Sequence, residues 1–317
     1  MLKPVYDIKN CGPRHRYAAN GKLIHNCDSV NLQNIPRKSK LKSAIVAPKG
    51  HVIVGADLSA IELRMGLSFA GQLDKMNMLG DGVDLYKDFA ASIYGISVDE
   101  VTDSQRFMGK TSQLSLIYGT GAVKLRNQVK MMSGVDIGEA EAKRIVELYR
   151  SEYTSVVAAW QEGDRVLEAV ASDSYAVMGR DELIKVHGAQ GALLPSGLYM
   201  RYPDLQRNLV GTKREWSVMK NKRERDKLYG SKVYQGLTQA LARCIIAEAM
   251  LRVDREYQIG LTIHDALYVI APENEADEAL RFIIKQLRQA PDWMPDIPLD
   301  AEGGYGHSLE FKMGKVL

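Results

Sequence analysis

Two β-rich runs far apart in the chain each bring an aspartate to the end of a strand, and this pairing limits most sharply what the chain can fold into. In HVIVGADLSAIELR (51–64), apolar residues alternate from Val52 and Val54 toward Asp57, and the period turns helical at Ile61 and Leu63. Asp57 is therefore expected where a buried strand gives way to a helix. In GLTIHDALYVIAP (260–272), His264 and Asp265 separate two β-rich segments, as in a hairpin. Strand-borne aspartates from distant sequence can converge on one site, and one or two carboxylates plus substrate phosphates suit Mg²⁺. A pair of such ions, about 3.5–4 Å apart, would activate an attacking hydroxyl and steady a leaving group. Either aspartate alone would serve equally well as a turn or helix cap.

Between them, Arg106, Lys110, Leu114 and Tyr118 recur every fourth residue in QRFMGKTSQLSLIYG (105–119), a slowly drifting stripe on one helical face. Gly119 is a natural helix stop. The cations stand at the N-terminal end, where the helix dipole also favours anions, so the stripe could grip a triphosphate and stack its apolar end on a base. Snorkelling from a half-buried helix is the plainer account of the same cations. Gly109-Lys110-Thr111 is not a phosphate loop, because the upstream glycine it needs falls at Ser104, and Gly119-Thr120-Gly121 lacks a third glycine.

DLSAIELR (57–64), RFMGKTSQLSLIYG (106–119) and HDA (264–266) resemble, in order, motifs A, B and C of family A DNA polymerases. NLQNIPR (31–37), DLYKDFA (84–90) and QALAR (239–243) also resemble that family, its phage members more than its bacterial repair enzymes. The resemblance implies an α+β fold: a palm of antiparallel sheet and helices carrying Asp57 and Asp265, and helical fingers carrying Arg106, Lys110 and Tyr118. It implies two Mg²⁺ ions held by Asp57, Asp265 and the Leu58 carbonyl, with primer-template DNA and dNTPs as partners. Arg106 and Lys110 would contact the triphosphate, Tyr118 would be the base-pair platform and Glu62 the steric gate under the sugar. His264 would meet the incoming phosphates or the primer end. Gln239 would touch the minor groove, with Gln235 a second candidate, and Asn31, Gln33 and Arg37 would lie along the nucleic-acid backbone. A carboxylate at position 62 favours deoxynucleotides, since related single-subunit RNA polymerases have a small residue there. Leu114 stands where Phe or Tyr is usual, Tyr86 where His is common in the nucleotide site, Ala60 where motif A has Gln, and Ala266 removes the acid that often follows His-Asp, so the site is expected to rest on two carboxylates.

The first 26 residues invite a different reading. Val5-Tyr6-Asp7, His15-Arg16-Tyr17, Asn20-Gly21 and His25-Asn26 followed by Cys27 resemble the two C-terminal blocks of inteins. Cys27 would accept an acyl group from a partner chain. Asn26 would cyclise to release the intein piece, His25 and His15 would move protons, and Asp7 would tune the thiolate step. The resemblance implies a split-intein C-fragment over 1–26, palm over 27–83 and 231–317, and fingers with connecting hairpins over 84–230. The missing thumb and the partner half would come from another polypeptide by trans-splicing. Reading Gly21-Lys22-Leu23 as a degraded polymerase segment leaves His25-Asn26-Cys27 unexplained. The alternatives are a self-sufficient minimal polymerase with an ordinary extension, or a non-catalytic DNA-binding or docking module.

The net charge is +3, and residues 1–26 contribute +4 of it, so positive charge elsewhere must be local. Two clusters qualify, 37–42 and 213–227, the second with Trp216 interleaved; solvated surface charge is the alternative for the second. Cys11, Cys27 and Cys244 form neither a metal spacing nor a disulfide framework, no signal-like apolar region follows Met1, and no span reaches membrane length. A protein of the cytoplasm, of the host cell if phage-encoded, with no membrane partner is expected. Helical patterns over 137–170, 231–257 and 274–290 and a hairpin-prone stretch over 175–203 complete the plan.

Overall fold

The computed structural model describes residues 41–220 and 224–315, and the strand backbone of Arg16–Ala19 (β1) and Lys22–His25 (β2), which pair antiparallel. A short helix α1 (Leu41–Ala44) precedes β3 (His51–Leu58). Helices α2 (Ile61–Ala70), α3 (Leu73–Gly80), α4 (Leu85–Tyr94), α5 (Asp103–Leu116), α6 (Ala122–Ser133), α7 (Gly138–Glu152) and α8 (Thr154–Ala171) follow. A four-stranded meander, β4 (Tyr175–Met178), β5 (Ile184–His187), β6 (Ala192–Leu193) and β7 (Tyr199–Met200), leads to a three-stranded sheet of β8 (Gln206–Val210), β9 (Lys213–Met219) and β10 (Arg225–Leu228). The chain then runs through α9 (Gly230–Val253), β11 (Ile259–Ile263), β12 (Ala266–Pro272), α10 (Ala276–Arg288) and β13 (Ala301–Gly306). The expected α+β class, helices with antiparallel sheets, is what the chain adopts.

The sheet that matters most has the order β11-β12-β3-β13, with every neighbour antiparallel. Its two faces differ because strand side chains alternate. Val52, Val54, Ala56 and Leu58 of β3, with Leu267, Val269 and Ala271 of β12, point into the core, where α10 packs on them with Ala279, Leu280 and Ile283. The opposite face carries Asp57, Tyr268 and Glu302, aligned by the cross-strand pairs Ala266 with Asp57, Tyr268 with Gly55, and Glu302 with Asp57.

The 137–170 helical pattern is two helices rather than one. Tyr153 leaves helical geometry (φ −106°, ψ 53°), and its buried ring stacks on Tyr149 at 4.2 Å while its hydroxyl accepts a 2.6 Å hydrogen bond from Gln113. Helices α8 and α9 touch backbone to backbone, since a Cβ on Gly163 would lie 2.2 Å from the Gly230 carbonyl oxygen. That contact holds the long α9, and with it Gln239, against the rest of the core. No helix among the described residues is long and apolar enough to cross a membrane.

Candidate active site

Asp57 sits one residue before the end of β3, and α2 begins at Ile61, as the change of period implied. On the neighbouring strand, Ala266 pairs with Asp57, so Asp265 in the preceding turn comes alongside it. That turn is the two-residue loop of the expected hairpin, with Ile263 opposite Ala266 and the exposed His264 in the left-handed region at φ +53°. Burial, then the charge and hydrogen bond of Asp265, then the charge of Glu302, push the Asp57 carboxyl up to about 7. Its Oδ1 is buried with no hydrogen-bond partner among the described residues, an unusual cost for a polar atom unless something else binds it.

The two aspartates line a cleft of about 720 Å³ that also takes in Arg106 and Lys110 from α5. Thr102 caps α5 with Gln105 in a reciprocal box (Thr102 N to Gln105 Oε1 2.9 Å, Gln105 N to Thr102 Oγ1 3.3 Å). Arg106 Nε donates to Asp84 Oδ2 at 2.6 Å, while Asp84 Oδ1 accepts from the backbone N–H groups of Tyr86 and Lys87 and so caps α4. The cations of Arg106 and Lys110 lie 5.5 and 5.4 Å from the centroid of the Tyr86 ring. Tyr86, at the position where the resemblance has His in many members, thus lies with its ring under both cations.

The four-residue stripe is not carried by one helix. Arg106, Lys110 and Leu114 are on α5, but the helix ends at Leu116, and Tyr118 lies in the turn closed by Gly119 at φ +74°. Helical continuation fails there for a packing reason: a Cβ on Gly119 would lie 2.5 Å from the Ser231 hydroxyl, and Trp160 Nε1 donates to the Ile117 carbonyl at 3.1 Å. Tyr118 instead turns toward Glu62, donating to Oε2 at 3.0 Å, and Gln239 Nε2 donates to Oε1 of the same carboxylate at 3.1 Å. Burial and the Glu62 charge raise the Tyr118 phenol well above its ordinary value. Gln235 is half-buried one turn before Gln239, and Leu114 is half-buried against the core.

Asp7, His15, Asn26, Cys27, Asn31, Gln33 and Arg37 lie outside the described residues, and of His25 only the strand backbone is described. Three residues of the cleft were not foreseen. Glu302, directly across β13 from Asp57, and Asp300 also line the cleft; β13 (AEGGYG) is glycine-rich and lacks the branched residues that mark a strand. Asp84 looked like an ordinary helix cap. Two cations of the second basic cluster have acidic partners, Arg225 with Asp204 and Lys227 with Glu215, while the guanidinium of the adjacent Arg207 pairs with Glu168 and lies 4.9 Å over Trp216.

A sequence model of DNA polymerase family A matches residues 14–310. The thermostable DNA polymerase I of Thermus filiformis is 27% identical over 290 residues, 89% of this chain and 30% of that protein. The DNA polymerase of Bacillus phage SP02 is 26% identical over 282 residues, 83% of this chain and 42% of that one. The fold is similar to the POL domain of Pol1 from M. smegmatis, solved in complex with DNA primer-template and dNTP, with a TM-score of 0.63 over 88% of this chain and 44% of that one at 24% identity. The chain thus spans less than half the length of these relatives. With the family match running through nearly all of it, the two strand-end aspartates included, the chain belongs to DNA polymerase family A.

Proposed function

We propose that this chain is the nucleotide-adding part of a DNA polymerase, extending a primer 3′-hydroxyl with dNTPs on a template. The observation that carries the reading is the meeting of Asp57 and Asp265 at adjacent strand ends in one cleft with Arg106 and Lys110. The acidic groups would hold Mg²⁺, and the buried, unpartnered Oδ1 of Asp57 fits that use. Among the described residues no cluster of three or more Asp, Glu, His or Cys side chains is arranged to hold a metal; on this reading the Leu58 carbonyl and substrate phosphates would complete the ligand set. Bound there, two ions would supply the charge that lowers the hydroxyl pKa and stabilises the pyrophosphate.

The protein's own groups do the rest. Arg106 and Lys110 would neutralise the triphosphate, with Arg106 passing from Asp84 to phosphate. Glu62, pinned from both sides by Tyr118 and Gln239, would close the space beneath C2′ and exclude ribonucleotides, with Tyr118 presenting its ring to the base pair. His264 would lie at the primer end. Asp57→Ala or Asp265→Ala is expected to abolish nucleotide addition, in the assembled polymerase, without unfolding the chain; near-normal primer extension by either variant sinks the reading.

A second reading concerns residues 1–26 and rests on His25-Asn26-Cys27. If they splice, mixing with an N-terminal half that carries an intein N-fragment would join that half to Cys27 and release 1–26, and Asn26→Ala would block the release. The family match begins at residue 14 and so takes in His15, His25 and Asn26, which favours treating Gly21-Lys22-Leu23 as polymerase sequence. Intact mass of the mixture decides between them, because only splicing removes 1–26.

A further inference from the structure

The family match ends at residue 310, yet the chain continues across the catalytic sheet. Ser308 bridges Val46 and Leu309 N donates to the Ile45 carbonyl at 2.9 Å, anchoring the start of this strap. Phe311 then lies edge-on to Tyr268, with ring centroids 6.3 Å apart. At its far end Gly303 and Gly314 exchange two backbone hydrogen bonds, each 2.9 Å. The path exists because of two glycines facing the same way as Asp57 and Glu302. A Cβ on Gly55 would meet the Tyr268 ring at 2.6 Å and Phe311 at 3.0 Å, and one on Gly304 would meet the Lys312 carbonyl oxygen at 2.3 Å.

The next residue, Lys315, lines the cleft that Asp57, Asp265, Arg106 and Lys110 line. Its side chain is exposed and makes no ion pair among the described residues, although the carboxylates of Asp300 and Glu302 border the same cleft. Glu62, Tyr118, Gln239 and His264, the groups assigned to sugar, base and primer end, do not line this cleft. On the polymerase reading, Arg106 and Lys110 make its occupant the phosphate end of the nucleotide. A compact ammonium there, free of a carboxylate partner, is placed for phosphate oxygens.

We propose that the C-terminal strap delivers Lys315 as a further cationic contact for the nucleotide's triphosphate, on the palm wall of the cleft. This rests on the polymerase reading above. The probe is inorganic tripolyphosphate with Mg²⁺, titrated calorimetrically into this chain, so that no turnover is needed. Lys315→Ala is expected to weaken binding 3- to 10-fold, Lys315→Arg to restore it to within about twofold, and Phe311→Ala, which frees the strap, to weaken it as well. Lys110→Ala and Asp57→Ala run in parallel test the underlying site. If they weaken binding and Lys315→Ala does not, the strap inference fails and the active site stands. If the unaltered chain does not bind tripolyphosphate, or none of these variants weakens it, both fall. A Lys315→Ala effect on primer-template affinity alone, measured separately by anisotropy, assigns the lysine to a nucleic-acid phosphate and overturns the proposal. Since Lys315 is exposed, circular dichroism should show an unchanged fold, so that a loss of binding reads as a lost contact.

Discussion

At the scale of single residues, the half-buried Asp57 carboxyl works against the protein's stability at neutral pH. The Asp57 carboxyl is raised to about 7, by burial first and then by Asp265 and Glu302, so the folded protein binds a proton that the unfolded chain has released. A carboxyl raised in the fold contributes its stability in full below the unfolded value and loses it as pH rises through the folded one. Between pH 4 and 7 metal-free protein should therefore lose stability as pH rises. Asp57→Asn, keeping shape without charge, should raise the Tm of metal-free protein at pH 8 by the equivalent of roughly 1–2 kcal/mol, discounted for solvent access, and change it little at pH 4. An equal shift at both pH values would assign the effect to packing. The neighbouring Glu62 makes a separate prediction. Its two oxygens each accept one hydrogen bond, from Tyr118 and from Gln239, which orients the carboxylate; Glu62→Ala should raise ribonucleotide incorporation by at least tenfold relative to dNTP, as read by alkaline cleavage of extended primers. Removing the carboxylate leaves the Tyr118 hydroxyl half-buried with one partner fewer, so a loss in kcat for dNTP should accompany the change.

At the scale of elements, the site depends on how closely α5 lies on α4. Gly109 makes this possible, because a Cβ there would fall 2.2 Å from the Tyr86 carbonyl oxygen and 3.0 Å from Ala90. Gly109→Ala should push the helices apart, cost about 1–3 kcal/mol in chemical denaturation, and raise the KM for dNTP because Arg106 and Lys110 move off the Tyr86 ring. Asp84 separates capping from charge: Asp84→Asn keeps an oxygen for the Tyr86 and Lys87 N–H groups but loses the ion pair, so its stability should stay near that of the parent while Asp84→Ala loses about 1 kcal/mol. The elements that line the cleft were legible for a physical reason. Asp57, Lys110 and Asp265, which all line the cleft, stand at changes of period or on a helical stripe, where local pattern shows them. Glu302 and Asp84 were not, since what matters about each is a partner across a sheet or another helix, and β13 is poor in strand-forming residues. Gly109, dismissed as a phosphate-loop decoy, has a packing role that no pattern within its own helix reveals. Tyr118 was placed on the stripe because spacing continues past Leu116, whereas Ser231 and Trp160, from α9 and α8, end the helix.

At the scale of the molecule, the order of the strands explains both what could be foreseen and where DNA should bind. A β3 buried on one face and acidic at its end could be read directly, and the 264–265 hairpin with it; that β13 flanks β3 on the other side required the chain to return after α10. Net charge supports a local electrostatic contact rather than a general one, since only +3 is distributed over 317 residues. Of the two basic clusters, 213–227 has two of its cations on internal partners, Arg225 held by Asp204 and Lys227 by Glu215. Charges already paired release few counterions when DNA arrives, and the slope of log Kd against log salt counts the phosphates newly neutralised. Replacing Arg225 and Lys227 by Ala should therefore change that slope by less than about one. Replacing Arg37, Lys38, Lys40 and Lys42 together should lower it by about two to four and weaken binding of every primer-template alike, because such contacts carry no sequence information. Anisotropy titrations at a series of salt concentrations measure both slopes on the same chain. A large slope change from the Arg225 and Lys227 pair would show that DNA displaces Asp204 and Glu215, and would move the nucleic-acid path onto the three-stranded sheet of β8, β9 and β10.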